Sequence, residues 1–184
     1  MGRRVLNCFC YTGAFSTYAL AGGAQEVISV DTSADALAFG GQHLALNGLQ
    51  GPATWMEGDV FSVLRRMRDE DRHFDAIILD PPKFGRGPKG EVWEFYKLLP
   101  ELLSTCRQVL SAQPQFVVLT AYAVKASAVT LYYGMDEMMT GLGGSVTAGE
   151  VVLQEKSASR QVAMAIFARW SASERVNNNK KAGD

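Results

Sequence analysis

Three cysteines in 184 residues are too few for a disulfide framework, and two of them, Cys8 and Cys10, alternate along one apolar stretch. The thiol usage implies a reducing, cytoplasmic setting. Long hydrophobic runs are also missing. The longest, around residues 115–124, falls far short of a membrane span, and no apolar signal core follows Arg3 and Arg4. A protein neither secreted nor membrane-embedded is predicted. Excess charge of either sign is lacking: 18 Lys+Arg stand against 19 Asp+Glu, a net charge of −1. A disordered chain and a strongly basic nucleic-acid arm are thereby excluded, so any nucleic-acid contact must be local. There is no internal repeat and no Gly-x-x-x-x-Gly-Lys-Ser/Thr loop. No Gly-x-Gly-x-x-Gly follows the first apolar run, and the one in the chain, at 85–90, comes far too late for the fingerprint, which weakens a nicotinamide dinucleotide reading. Neither His43 nor His73 has a Cys or a second His at metal-ligand spacing, so no metal site is predicted.

What is present is a hydrophobic fraction of 47%, enough for one well-packed domain. Short apolar runs at 5–9, 27–30, 54–56, 74–79 and 116–120 alternate with stretches of helical period at 14–21, 33–47, 60–70 and 92–110. That alternation predicts an α/β fold with a parallel sheet covered by helices on both faces. Pro100 interrupts the last stretch, which predicts two helical pieces or one kinked helix. A helix near 127–141 follows, in which Met135, Met138 and Met139 read as gap-filling core. Two extended segments at 145–154 and 161–170, joined by a short polar connection, then read as a hairpin. The domain is predicted over 1–171, with a disordered tail over 172–184. The first strand starts almost at residue 3, as expected of a catalytic core cut away from something larger.

In open parallel sheets ligands bind beyond the carboxyl ends of the strands, so the residues just after each strand carry most information. After the first comes Phe9-Cys10-Tyr11-Thr12-Gly13, a turn whose glycine lets the backbone pass close to a ligand. Asp31 follows the second, 18 residues beyond Gly13, where an acid can accept hydrogen bonds from two ribose hydroxyls. Capping is its alternative role, although Thr32 and Ser33 could serve there instead. Asp59 follows the third and reads equally as the N-cap of the next helix and as an acceptor for an adenine amino group, with Val60 and Phe61 covering the ring. Asp80-Pro81-Pro82-Lys83-Phe84 follows the fourth, where two prolines stiffen a place that would otherwise bend freely. The glycine-rich basic stretch 85–90 reads as a mobile lid with phosphate-contacting Arg86 and Lys89, or as a plain surface loop. Trp93 and Phe95 beyond it are read as core in preference to base-stacking platforms.

Taken together, residues 6–13, Val30-Asp31-Thr32-Ser33, Leu46-Asn47-Gly48-Leu49, Gly58-Asp59-Val60-Phe61 and Asp80-Pro81-Pro82-Lys83-Phe84 resemble the class I S-adenosylmethionine-dependent methyltransferases. More closely, they resemble the bacterial ribosomal RNA large-subunit group with Tyr-Thr-Gly and Asp-Pro-Pro-Lys-Phe motifs. The resemblance implies a Rossmann-like, doubly wound seven-stranded sheet in the order 3-2-1-4-5-7-6, with strand 7 antiparallel. It implies that S-adenosylmethionine is held by Phe9, Tyr11, Thr12 and Gly13 at its methionine end, by Asp31 and Thr32 at the ribose, and by Asp59 and Val60 at the adenine. Asp80, Pro81, Pro82 and Lys83 would face the sulfonium and the target base as the catalytic group. Arg86, Tyr122 and Lys125 are candidates for acceptor contacts. The implied reaction is methyl transfer to RNA, most simply to a base of ribosomal RNA. A small-molecule or protein acceptor, and a non-catalytic nucleotide-binding scaffold, are the alternatives. Relatives that methylate carbon 5 of cytosine use a cysteine expected after the fifth strand, where this chain has Leu119-Thr120-Ala121-Tyr122, so attack by a base nitrogen ranks above it. Family members commonly carry an RNA-recognition module ahead of this core, and such a module is expected to act with it.

Overall fold

The computed structural model describes residues 3–49, 51–87 and 90–173. Lys89 and most of the predicted tail, 174–184, lie outside them, whereas Ala172 and Ser173 are described and the Ala172 N–H donates to the Gln115 carbonyl at 2.9 Å.

The chain runs β1 (Arg3–Cys8), α1 (Ala14–Ala21), β2 (Ala24–Asp31), α2 (Ala34–Leu46), β3 (Ala53–Glu57), α3 (Val60–Asp69) and β4 (Ala76–Leu79). It continues with β5 (Phe84–Arg86), β6 (Val92–Glu94), α4 (Phe95–Gln108), β7 (Phe116–Ala121), α5 (Ala128–Met138), β8 (Ser145–Gln154) and β9 (Gln161–Ser171). Seven strands form one sheet in the order β3-β2-β1-β4-β7-β9-β8. The pairs among β1, β2, β3, β4 and β7 are parallel, and β9 runs antiparallel to both β7 and β8. The labels differ from the predicted 3-2-1-4-5-7-6 because two short strands missed in the sequence, β5 and β6, come between β4 and β7 along the chain and pair only with each other; counted without them, the seven strands of the sheet follow that order. Phe84–Arg86 and Val92–Glu94 thus form an antiparallel pair where the sequence suggested a loop.

The inner strands are apolar along their length because both faces are covered. Leu6, Cys8, Ile28, Val30, Ile77 and Leu79 pack with residues of α3, α4 and α5, while Val5, Val27 and Ala76 pack with Leu20 of α1 and Leu44 of α2. A buried polar trio ties α1 to the sheet: Asn7 Nδ2 donates to Ser16 Oγ at 2.8 Å, and Ser16 Oγ lies 2.7 Å from Ser29 Oγ. Ser33 caps α2 by accepting the Ala36 N–H at 3.2 Å, which leaves Asp31 free of that task. In the stretch 92–110 the structure has β6 and then a single helix, α4, with Pro100 inside it. Trp93, Phe95, Met135, Met138 and Met139 are buried, as the sequence predicts. Among the described residues no helix is long and apolar enough to cross a membrane.

Candidate active site

The turn after β1 holds three residues in the left-handed region: Phe9 (φ 58°), Tyr11 (φ 47°) and Gly13 (φ 73°). For the two aromatic residues this conformation costs about 1–2 kcal/mol each, so the surroundings must hold it. They do so with hydrogen bonds. The Cys10 N–H donates to the Val30 carbonyl at 3.0 Å, and the Gly13 N–H to the Cys10 carbonyl at 2.8 Å. Asp31, at the end of β2, takes the Tyr11 N–H on Oδ2 at 2.8 Å and the Ser33 N–H on Oδ1 at 3.0 Å. Each carboxylate oxygen keeps a second lone-pair direction for another donor.

Phe9, Tyr11, Asp31 and Thr32 line a cavity of about 450 Å³. Thr12 and Gly13 do not line it. The Thr12 carbonyl lies 3.2 Å from His43 Nδ1, and Gly13 lies against Trp55, whose indole a Cβ at Gly13 would overlap.

Asp59 and Val60 contribute the next part of the wall. Asp59 is the N-cap of α3, for Oδ2 accepts the Ser62 N–H at 2.9 Å and the Ser62 hydroxyl at 3.0 Å, and the residue also faces the cavity.

Asp80 and Pro82 come from the segment after β4. Burial pushes the Asp80 carboxyl above its ordinary range, and the Thr120 hydroxyl, donating to Oδ1 at 2.5 Å, works the other way. Pro81 is buried; Lys83 is exposed and outside the cavity wall, and its carbonyl accepts the Phe95 N–H at 3.1 Å. From the hairpin come Gly85, Arg86, Gly87, Glu91 and Trp93, and from the end of β7 comes Tyr122. The Arg86 guanidinium lies 5.7 Å from the Phe84 ring centroid. Lys125 is exposed and does not line the cavity.

Sequence reasoning thus located Phe9, Tyr11, Asp31, Thr32, Asp59, Val60, Asp80, Pro82, Arg86 and Tyr122 on one cavity, and missed Gly85, Gly87, Glu91 and Trp93. Trp93 is both core and cavity wall: its ring is buried, 5.0 Å from the Phe9 ring and 6.2 Å from the Phe61 ring. The signal available was its place just beyond a glycine-rich segment at the carboxyl edge of the sheet. All three cysteines are buried and none lines the cavity, in keeping with the reading that no thiol is placed for attack.

The cavity is rich in acceptors. Four acids, Asp31, Asp59, Asp80 and Glu91, face it with one arginine, between aromatic and proline surfaces. Such a site suits a ligand that carries hydroxyl and amino donors and a positive charge, and its volume is in the range that encloses a cofactor-sized molecule.

Comparison with known proteins agrees with this chemistry. Residues 1–128 match a family model described as S-adenosylmethionine-dependent methyltransferase. The ribosomal RNA large subunit methyltransferase I of Aeromonas hydrophila is 55% identical over 84 residues, 45% of this chain and 21% of that protein. Its counterpart from Erwinia tasmaniensis is 58% identical over the same length and the same shares. Among solved structures, the S-adenosylmethionine-dependent methyltransferase of Agrobacterium tumefaciens superposes with a TM-score of 0.88 at 38% identity, over 93% of this chain and 56% of that one. Another crystal structure, described as a methyltransferase complexed with SAH, gives a TM-score of 0.68 at 25% identity, over 92% of this chain and 45% of the other. The similarity therefore spans only about a fifth of the length of the curated relatives and about half that of the structural ones.

Proposed function

The chain belongs to the S-adenosylmethionine-dependent methyltransferase family, and from that premise we propose that it transfers a methyl group to RNA, with a base of ribosomal RNA as acceptor. The observation that carries this reading is the convergence of Asp31, Asp59 and Asp80 on one cavity at the carboxyl edge of the sheet, between the Phe9, Tyr11 and Trp93 rings. The naming of relatives at 55% and 58% identity as ribosomal RNA methyltransferases supports the choice of acceptor.

The residues present fit the cofactor. Asp31 has acceptor capacity left for two ribose hydroxyls after holding the turn, and Asp59 with Val60 sits where an adenine amino group and ring face would be met. Phe9 and Tyr11 supply the wall at the methionine end. Thr12 and Gly13 act there through the backbone of the turn they complete. When bound, S-adenosylmethionine supplies a methyl group on a cationic sulfur.

The task left to the protein is alignment at near-attack distance, from which much of the rate can come. Pro81 and Pro82 stiffen the segment that faces the acceptor. Thr120 fixes one oxygen of Asp80, and the carboxylate orients the acceptor base by hydrogen bonding. Tyr122 offers a ring face to the base, Arg86 meets a phosphate from the cavity wall, and Lys83 and Lys125 meet phosphates outside it. Residues 1–171 constitute the methyltransferase domain, working in the cytoplasm. A net charge of −1 favours a further RNA-recognition module acting with this core.

The decisive experiment is tritium transfer from labelled S-adenosylmethionine to ribosomal RNA of a strain lacking the enzyme, followed by digestion to nucleosides. Label in one modified nucleoside is expected. Label confined to small molecules or protein overturns the RNA assignment.

A further inference from the structure

Trp93 and Tyr96 stand at the junction of β6 and α4; Trp93 is bonded to the cavity-wall residue Pro82, and Tyr96 to the segment that follows the cavity-wall residue Tyr122. Trp93 Nε1 donates to the Pro82 carbonyl at 2.5 Å, and Tyr96 Oη accepts the Lys125 backbone N–H. Between them the Phe95 N–H donates to the Lys83 carbonyl. The Trp93 ring also packs on Phe9 and Phe61, from the segments after β1 and β3. One run of four residues is therefore fastened to the segment after β4, fastened to the segment after β7, and packed against Phe9 and Phe61.

Few other restraints act where these walls meet the acceptor. The β4–β7 ladder ends at Leu79 opposite Leu119, and among the described residues the Thr120 bonds to Leu79 and Asp80 are the last direct hydrogen bonds between the two segments. Beyond them Tyr122 is 47% exposed, and Ala123 adopts a left-handed conformation (φ 55°) that an alanine does not hold without support. The Tyr96 hydroxyl supplies that support two residues later, at Lys125.

We infer that the β6–α4 junction is a brace that sets the distance between the Asp80-Pro81-Pro82 segment and the Tyr122 segment, with Trp93 and Tyr96 as positioning residues for the acceptor base. This inference rests on the methyl-transfer reading above. Through Trp93 the brace also joins both segments to the cofactor side, so filling the cavity slows the motion of both together.

The test uses the whole chain with Tyr96→Phe, which keeps the ring and loses the hydroxyl, and Trp93→Phe, which keeps an aromatic and loses the N–H. Calorimetry of the wild-type chain with S-adenosylmethionine judges the cofactor reading by itself, and absence of binding sinks that reading. With binding present, amide hydrogen exchange judges the brace. In the wild type, saturating S-adenosylmethionine slows exchange at 83–84 and 123–125 together. Tyr96→Phe is expected to bind the cofactor within about twofold of wild type and to keep the slowing at 83–84 but lose it at 123–125. Trp93→Phe loses it at both. Slowing at 123–125 that persists in Tyr96→Phe overturns the brace. In transfer to ribosomal RNA, Tyr96→Phe is expected to lower kcat about tenfold with KM for RNA within about twofold, the mark of misplacement without lost binding. An unchanged kcat overturns the positioning role.

Discussion

Thr120 donates its hydroxyl hydrogen to Asp80 across 40 residues of chain, and the bond opposes the effect of burial on that carboxyl. A carboxyl whose folded pKa lies above its unfolded one stabilises the fold in acid and loses that contribution as pH rises through the folded value. Thr120→Val removes the donor and pushes the Asp80 pKa further up, so it costs most where the group is ionised. The expected loss at neutral pH is about 1–2 kcal/mol, toward the lower part of the range for bonds to charged groups because the carboxylate also faces the open cavity. Urea melts at neutral and acidic pH should show the gap to wild type narrowing on acidification. A gap that stays constant or widens in acid would mean that the hydroxyl does not serve the carboxylate.

Asp31 holds the Tyr11 turn with one oxygen and the Ser33 N–H with the other. Asp31→Asn keeps the shape but leaves one acceptor where two are needed, and it removes the negative charge. Binding of S-adenosylmethionine should weaken about 10- to 100-fold, as expected when a charged hydrogen bond is lost. Calorimetric affinity within twofold of wild type would dissociate Asp31 from the cofactor.

Gly13 and Gly40 both abut the Trp55 indole, but only Gly13 has a positive φ. Alanine at Gly40 suffers the overlap alone, offset in part by the better helix propensity of alanine, by about 1 kcal/mol. Alanine at Gly13 adds left-handed strain of about 1–2 kcal/mol. Thermal melts should therefore rank Gly13→Ala well below Gly40→Ala, and equal losses would refute the strain argument.

Burial holds every thiol protonated: the Cys10 pKa is pushed up to about 12, and those of Cys8 and Cys106 are raised as well. A thiol reagent at mildly alkaline pH should leave the native chain unlabelled and modify all three cysteines in denaturant. Native labelling of Cys8 or Cys10 would reopen a nucleophilic role beside the cavity.

The parallel sheet was legible because its strands are buried on both faces and so read as unbroken apolar runs, as in Val27-Ile28 and Ile77-Ile78-Leu79. Asp31 and Asp80 were legible because each stands immediately after such a run, and Asp59 because it follows the third strand and opens a helix. The hairpin of β5 and β6 was not: each strand has three residues, and glycines at 85, 87 and 90 look like loop composition. Trp93 was read correctly as core, yet its second role as cavity wall depends on where Phe9 and Pro82 come to lie, which spacing along the chain does not encode. The same holds for Tyr96, whose partner is 29 residues away. Thr12 and Gly13 were identified by motif, and their contribution is to the turn, through His43 and Trp55, more than to the cavity surface.

The strand order has a consequence for synthesis. β9, the last strand described, is interior to the sheet, between β7 and β8, while β8 forms the edge. As the chain leaves the ribosome, β7 keeps one bare side until residues 161–171 have emerged, and β8 cannot join the sheet before them. A nascent chain halted short of β9 presents the unpaired edge of β7, whose Val117 and Leu119 are fully buried in the finished fold. Quality of the product thus depends on how quickly the final strand arrives, and slow codons just upstream of residue 161 are expected to raise the aggregated fraction.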